Sequence, residues 1–160
     1  MQNKEIYIKR LAEDCAYTFK GLYKTADWLK LEYKLYLAVP IIFSIISLGF
    51  EEMMSPFSLK LFAVLSMIFT SLALMNQEEY NKIEKYMQLA NEYKTLYDEL
   101  EAAYHKRDFE HIDEYKEKIK KLREKTSQYP INMIGRLWSK KRIESEMDLD
   151  WLGADGVWKK

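Results

Sequence analysis

The residues best suited to chemistry in this 160-residue chain are few and stand apart. His105 and His111 are the only histidines, six apart across a break between two helical patterns, amid Asp108, Glu110 and Asp113. A zinc site draws on a tighter, convergent ligand set. Solvated turn residues are therefore the expectation, and no metal is expected. Cys15 is the only cysteine, has no histidine near it in sequence, and cannot form an intrachain disulfide. On the apolar side of its helical pattern it reads as a packed thiol rather than a nucleophile. Glu99, Glu101, Glu110 and Glu114 are interspersed with lysines, as on a solvated helix surface. There is no glycine-rich phosphate loop, serine elbow or kinase signature. The chain is expected not to be an enzyme, with no catalytic residue and no cofactor.

A second set of polar residues lies inside uncharged stretches. Ala63, Ser66, Thr70, Ala73 and Gln77 recur at spacings of three and four, which places them on one helix face. Ser44 and Ser47, with Pro40, form a face of their own earlier in the chain. Two readings stand side by side. Small residues let helices approach closely, with hydroxyls bonding across the interface or back to the backbone. Alternatively, several copies surround an axis and Ser66 and Thr70 wet a pore. The readings overlap, because an oligomer needs a packing face too.

The elements that carry these residues are two apolar runs. Residues 35–50 read LYLAVPIIFSIISLGF and residues 61–77 read LFAVLSMIFTSLALMNQ, neither with a charge. As helices they would be roughly 24–26 Å long, somewhat short of a hydrocarbon core of about 30 Å. Trp28, Tyr33 and Tyr36 sit where an aromatic belt would lie, and Lys34 and Lys60 have stems that can snorkel. Both runs are apolar on all sides, which suits lipid better than a small bundle. A short loop with Pro56 joins them. The expectation is a transmembrane helical hairpin over residues 35–77 with its loop at 51–60; the competing expectation is the core of a soluble bundle. Lys20, Lys24, Lys30 and Lys34 precede the first run and Lys82, Lys85 and Lys94 follow the second, with only Lys60 between. That distribution predicts both termini in the cytoplasm and residues 51–58 outside.

The remainder reads as helices. Glycine (5) and proline (3) are scarce, which argues against a loop-rich fold. Residues 1–34 place Ile8, Leu11, Cys15, Phe19, Leu22, Ala26, Leu29 and Tyr33 on one face, leading into the first run. Residues 78–127 read as an antiparallel hairpin. Its first helix has a heptad seam of Ile83, Tyr86, Ala90, Tyr93, Tyr97, Leu100 and Tyr104. Its second, capped by Asp108, shows Phe109, Ile112, Tyr115, Ile119 and Leu122. Residues 128–160 pair Ile131, Ile134, Leu137 and Trp138 with Arg136, Lys140, Lys141 and Arg142. This basic amphipathic piece suits either an anionic membrane surface or packing on the first helix with solvated lysines. The tail beyond it, with Trp151 and Trp158, would dock on the body or on a partner. The fold class is all-α: a two-helix transmembrane hairpin with long helices extending into a cytoplasmic helical bundle. Lys+Arg and Asp+Glu are 25 each, so direct nucleic-acid binding is not expected. The charged N-terminus is no secretory signal.

The order of a long helix with AYTFKGLYKTADWLKLEYKLY, two spans, QEEYNKIEKYMQLANEYKTLYDEL and a helix ending KIKKLREKTSQYP resembles the SLATT family of bacterial conflict systems. The resemblance covers the chain to about residue 145 and rests on architecture, not on a catalytic motif. It implies an oligomeric, pore-forming inner-membrane effector of anti-phage defence, acting by abortive infection. A neighbouring sensor, a nucleotide-signalling enzyme or a reverse transcriptase, would hold it silent. It implies no residue-level active site. The runner-up is a membrane-anchored helical scaffold whose spans only tether.

Overall fold

A computed structural model describes residues 2–146; the tail with Trp151 and Trp158 lies outside the described residues. Among the described residues every regular element is helical. The helices are α1 (Gln2–Gly49), α2 (Pro56–Met75), α3 (Gln77–Asn81), α4 (Ile83–Lys106), α5 (Ile112–Thr126) and α6 (Met133–Glu146), with a 3₁₀ turn at Glu51–Met53. The chain divides into two compact units, one formed by residues up to Ala26 and from Glu84 onward, the other by Asp27–Ile83.

The first unit is organised on one side of α1. Ile8, Leu11, Ala12, Cys15, Ala16, Phe19, Leu22 and Ala26 are buried there, at spacings that keep them on a single helix face. On α4 the buried stripe is wider than a two-position seam. Leu89, Leu96 and Ala103 are covered together with Tyr86, Ala90, Tyr93, Tyr97 and Leu100. The reason is that α4 is touched on two sides. Tyr97 meets Phe19 of α1 edge-on at 5.8 Å, and Glu92 and Glu99 pair with Lys125 and Lys118 of α5 at 3.0 and 2.7 Å. These pairs run in reverse order along the two helices, so α4 and α5 are antiparallel. Being exposed, they add little stability; their content is register.

A tyrosine-rich core must satisfy its phenols. Tyr23 Oη donates to Asn91 Oδ1, Tyr104 Oη donates to Glu5 Oε1 at 3.2 Å, and Tyr86 Oη donates to the Pro130 carbonyl at 3.1 Å. Each bond ties α4 to another segment, so the aromatic positions supply both apolar area and specificity.

The turn from α4 to α5 departs from the Asp108 cap expected above. Arg107 takes a left-handed conformation, φ 55°. Its N–H donates to the Tyr104 carbonyl and the Asp108 N–H to the Ala103 carbonyl, both at 3.0 Å. This is the double bond pattern that closes a helix on a left-handed residue. Asp108 is spent in that turn, with Oδ1 accepting from the Glu110 N–H at 3.3 Å. Helix α5 therefore starts at Ile112 with His111 as its cap. A left-handed non-glycine residue costs roughly 1–2 kcal/mol. Arg107→Gly is accordingly expected to raise the stability of this unit by about 1 kcal/mol, measurable as a shifted urea midpoint with an unchanged m-value.

Cys15 is fully buried. Burial first, and Asp14 second, push its thiol up to about 12. The folded chain is expected to resist maleimide at neutral pH and to react at once when unfolded in denaturant, because the thiolate is the reactive form.

Candidate membrane-spanning pair and basic face

The second unit contrasts with the first. Helices α1 and α2 are both long and apolar enough to cross a membrane, and none of the apolar window of α1 is buried. In α2 only Ala73 is buried. Ile45 is 65 % exposed, Leu48 80 %, Met67 69 % and Met75 80 %. A core helix of a water-soluble protein hides such side chains.

The two helices touch through aromatic rings. Phe43 stacks on Phe62 at 4.8 Å, Tyr36 meets Phe69 at 5.9 Å, and Tyr33 meets Tyr80 of α3 at 4.6 Å. The partners again run in opposite order, so the helices are antiparallel. Helix α2 begins at Pro56, five residues before the uncharged run. Ser55 Oγ accepts from the Ser58 N–H at 3.2 Å, and Pro56 occupies a first-turn position that needs no N–H. The apolar α2 is thus 20 residues long, about 30 Å, which matches a hydrocarbon core.

The small and polar stripe is divided between two environments. Ser66 and Ser47 are half-buried and Ala73 is buried, while Ser44, Ala63, Thr70 and Gln77 are exposed. Ser44 Oγ donates to the Pro40 carbonyl at 2.8 Å, and Thr70 Oγ1 to the Ser66 carbonyl at 2.9 Å. A hydroxyl bonded to its own helix is cheap to place in hydrocarbon. Pro40 lacks the N–H that would reach the Tyr36 carbonyl. At the polar end of this unit Tyr36 Oη donates to Glu32 Oε1 at 2.9 Å. The buried Tyr80 Oη has no hydrogen-bond partner among the described residues.

In the first unit, α6 is fixed to α1 by a polar joint. Asn132 caps α6, its Oδ1 accepting from the Gly135 N–H at 2.6 Å. Its own N–H donates to Thr25 Oγ1 at 3.2 Å, and Thr25 Oγ1 donates to Asn132 Oδ1 at 3.3 Å. Thr25, Ser139 and Ile143 are buried. Packing on the first helix is thus present. The opposite face, with Leu137, Trp138 and Lys141, is exposed, and Arg136, also exposed, lies between it and the packed face. The side chains of Lys140 and Arg142 lie outside the described set.

His105 and His111 do not meet in a ligand set. His111 Nδ1 pairs with Glu114 at 3.2 Å, which raises its pKa chiefly through that hydrogen bond. Among the described residues no three His, Cys, Asp or Glu side chains converge on a metal position. In the cleft over Leu96 and Leu122, Glu92 pairs with Lys125 and Glu99 with Lys118, while Lys121 pairs with Glu117 outside it. No family model, curated protein or solved structure matches this chain.

The Asn132–Thr25 joint escaped the sequence reading. An Asn three residues before Gly135 is a visible capping signal, but nothing in the spacing names Thr25 as its partner.

Proposed function

We propose that this chain is an oligomeric effector of the bacterial inner membrane. Helix α2 and the apolar end of α1 would cross the bilayer as a hairpin with both termini cytoplasmic, and would permeabilise it during anti-phage defence when a separate sensor signals. The observation that carries the membrane part is the exposure of large apolar residues along α2 and the apolar end of α1, where only Ala73 is buried, against the covered apolar faces of the first unit. The lysine distribution supports the orientation. The defence role and the sensor rest on the SLATT resemblance. Helix α1 runs without a break from Gln2 to Gly49. It is the element through which a rearrangement of the first unit would reach the spans.

Homo-oligomer formation would use the exposed part of the stripe, Ala63, Thr70 and Gln77, since Ser66 and Ala73 face inward. Expression in a bacterium loaded with a voltage-sensitive dye is expected to depolarise the membrane, and Ala63→Leu with Thr70→Leu to suppress depolarisation without reducing insertion. Undiminished depolarisation in that double variant would remove the stripe from the conducting path. The scaffold reading is favoured by the hydroxyls of Ser44 and Thr70, which are already bonded to their own helices. An inserted, oligomeric chain that never depolarises cells carrying its neighbouring genes and infected by phage would establish it.

A further inference from the structure

Helix α6 packs with one face and leaves another bare. Met133 is 75 % exposed, Leu137 61 % and Trp138 55 %. Elsewhere in the first unit no described large apolar side chain exceeds the 39 % of Met87. On a helix Met133, Leu137, Lys141 and Trp138 share one side, opposite buried Gly135, Ser139 and Ile143. Lys141 lies within this side and Arg136 at its border, and neither makes an ion pair among the described residues. Helix α6 carries no acid before Glu144. By contrast, four of the five lysines of α5, Lys116, Lys118, Lys121 and Lys125, each have a carboxylate.

We propose that this face of α6 seats on the anionic surface of a bilayer, Trp138, Leu137 and Met133 entering the headgroup boundary and Arg136 and Lys141 meeting lipid phosphates. The inference rests on the spanning reading above. A basic face with one tryptophan and flexible apolar side chains has the composition of an interfacial helix, and its unpaired cations complement anionic headgroups. The chain also limits how far α6 can stray. The joint holds α6 to Thr25, ten residues before Leu35 where the uncharged run starts. Ten residues reach at most about 35 Å in any conformation. Lipid is therefore presented to this face at high effective concentration, and a weak contact suffices.

The test uses the full chain with Leu137→Cys carrying an environment-sensitive NBD label. Cys15 needs no replacement because it is buried. The labelled chain is reconstituted into phosphatidylcholine vesicles with and without phosphatidylglycerol. The expected result is a blue-shifted, several-fold brighter emission in the anionic vesicles. High salt should reverse it, and Arg136→Gln with Lys141→Gln should abolish it. Equal emission in both lipids overturns the proposal. So does emission that follows protein density rather than lipid charge, which would assign the face to a second copy. Flotation of the same vesicles in alkaline carbonate separates the two levels of argument. Protein that floats with a silent label sinks only the α6 contact; protein left behind sinks the spanning reading and this contact with it.

Discussion

Replacing Ile42 and Met67 together with lysine is expected to release the chain from bacterial membranes in alkaline carbonate, or to prevent its insertion altogether. Ile42 and Met67 are 50 % and 69 % exposed and lie near the middle of the two apolar helices. At the centre of a span a lysine costs roughly 2.5–3.5 kcal/mol on an insertion scale, so the pair costs about 5–7 kcal/mol. If the same helices sat in water, the substitutions would fall on exposed positions and change stability by only about 0.5 kcal/mol. The two environments thus predict opposite behaviour from one variant. Ile42→Leu with Met67→Leu is the control and should stay in the pellet like the parent chain. A double-lysine chain that remains carbonate-resistant would mean that lipid does not cover these positions, and the membrane proposal would fail.

Much of this architecture is legible in the residues. The all-helical class follows from apolar side chains at spacings of three and four and from few breakers, and the helices bear it out. The two apolar runs are visible as runs without charge; that they stay uncovered required the structure, since a buried hairpin has the same composition. Ends were read less well. The signal for the start of α2, Ser55 before Pro56, lies inside residues 51–60, which read as loop because the uncharged run begins only at Leu61. Asp108 looked like a cap because it precedes an apolar pattern. The left-handed turn at Arg107 used it instead, and a left-handed arginine leaves no trace in composition. The stripe from Ala63 to Gln77 was legible as a periodicity. Which members face α1 was not, because that depends on the phase set by the ring contacts Phe43–Phe62 and Tyr36–Phe69. Basic α6 shows the same limit. Its sequence allows packing or a membrane surface, whereas the helix has one face packed on α1 and another left exposed.

Gly135→Ala is expected to destabilise the docking of α6, against the usual sign of the change. Within a helix, alanine is ordinarily better than glycine by about 0.8–1 kcal/mol. Here a Cβ would stand 2.4 Å from Thr25 Oγ1, 2.7 Å from the Gly21 carbonyl oxygen and 2.9 Å from Ile131 Cγ2. The carbonyl belongs to the backbone of α1 and cannot rotate aside, so the helices must separate. Separation also weakens the bonds of Asn132 with Thr25, which cap α6 at the same point. Overpacking of this kind costs typically about 1–3 kcal/mol, equivalent to roughly 5- to 150-fold more frequent opening at 1.4 kcal/mol per decade. Amide hydrogen exchange over residues 133–146 should speed up by such a factor while the amides of α4 change little. Gly49→Ala, where a Cβ meets nothing within 4 Å, is the matched control and should leave exchange in α6 unaltered. Adding Thr25→Ala to Gly135→Ala should recover only part of the loss, because it removes the hydroxyl and leaves the carbonyl in place. Unchanged exchange in Gly135→Ala would mean that α6 is not held this closely to α1, and the short tether on which the proposed bilayer contact depends would go with it.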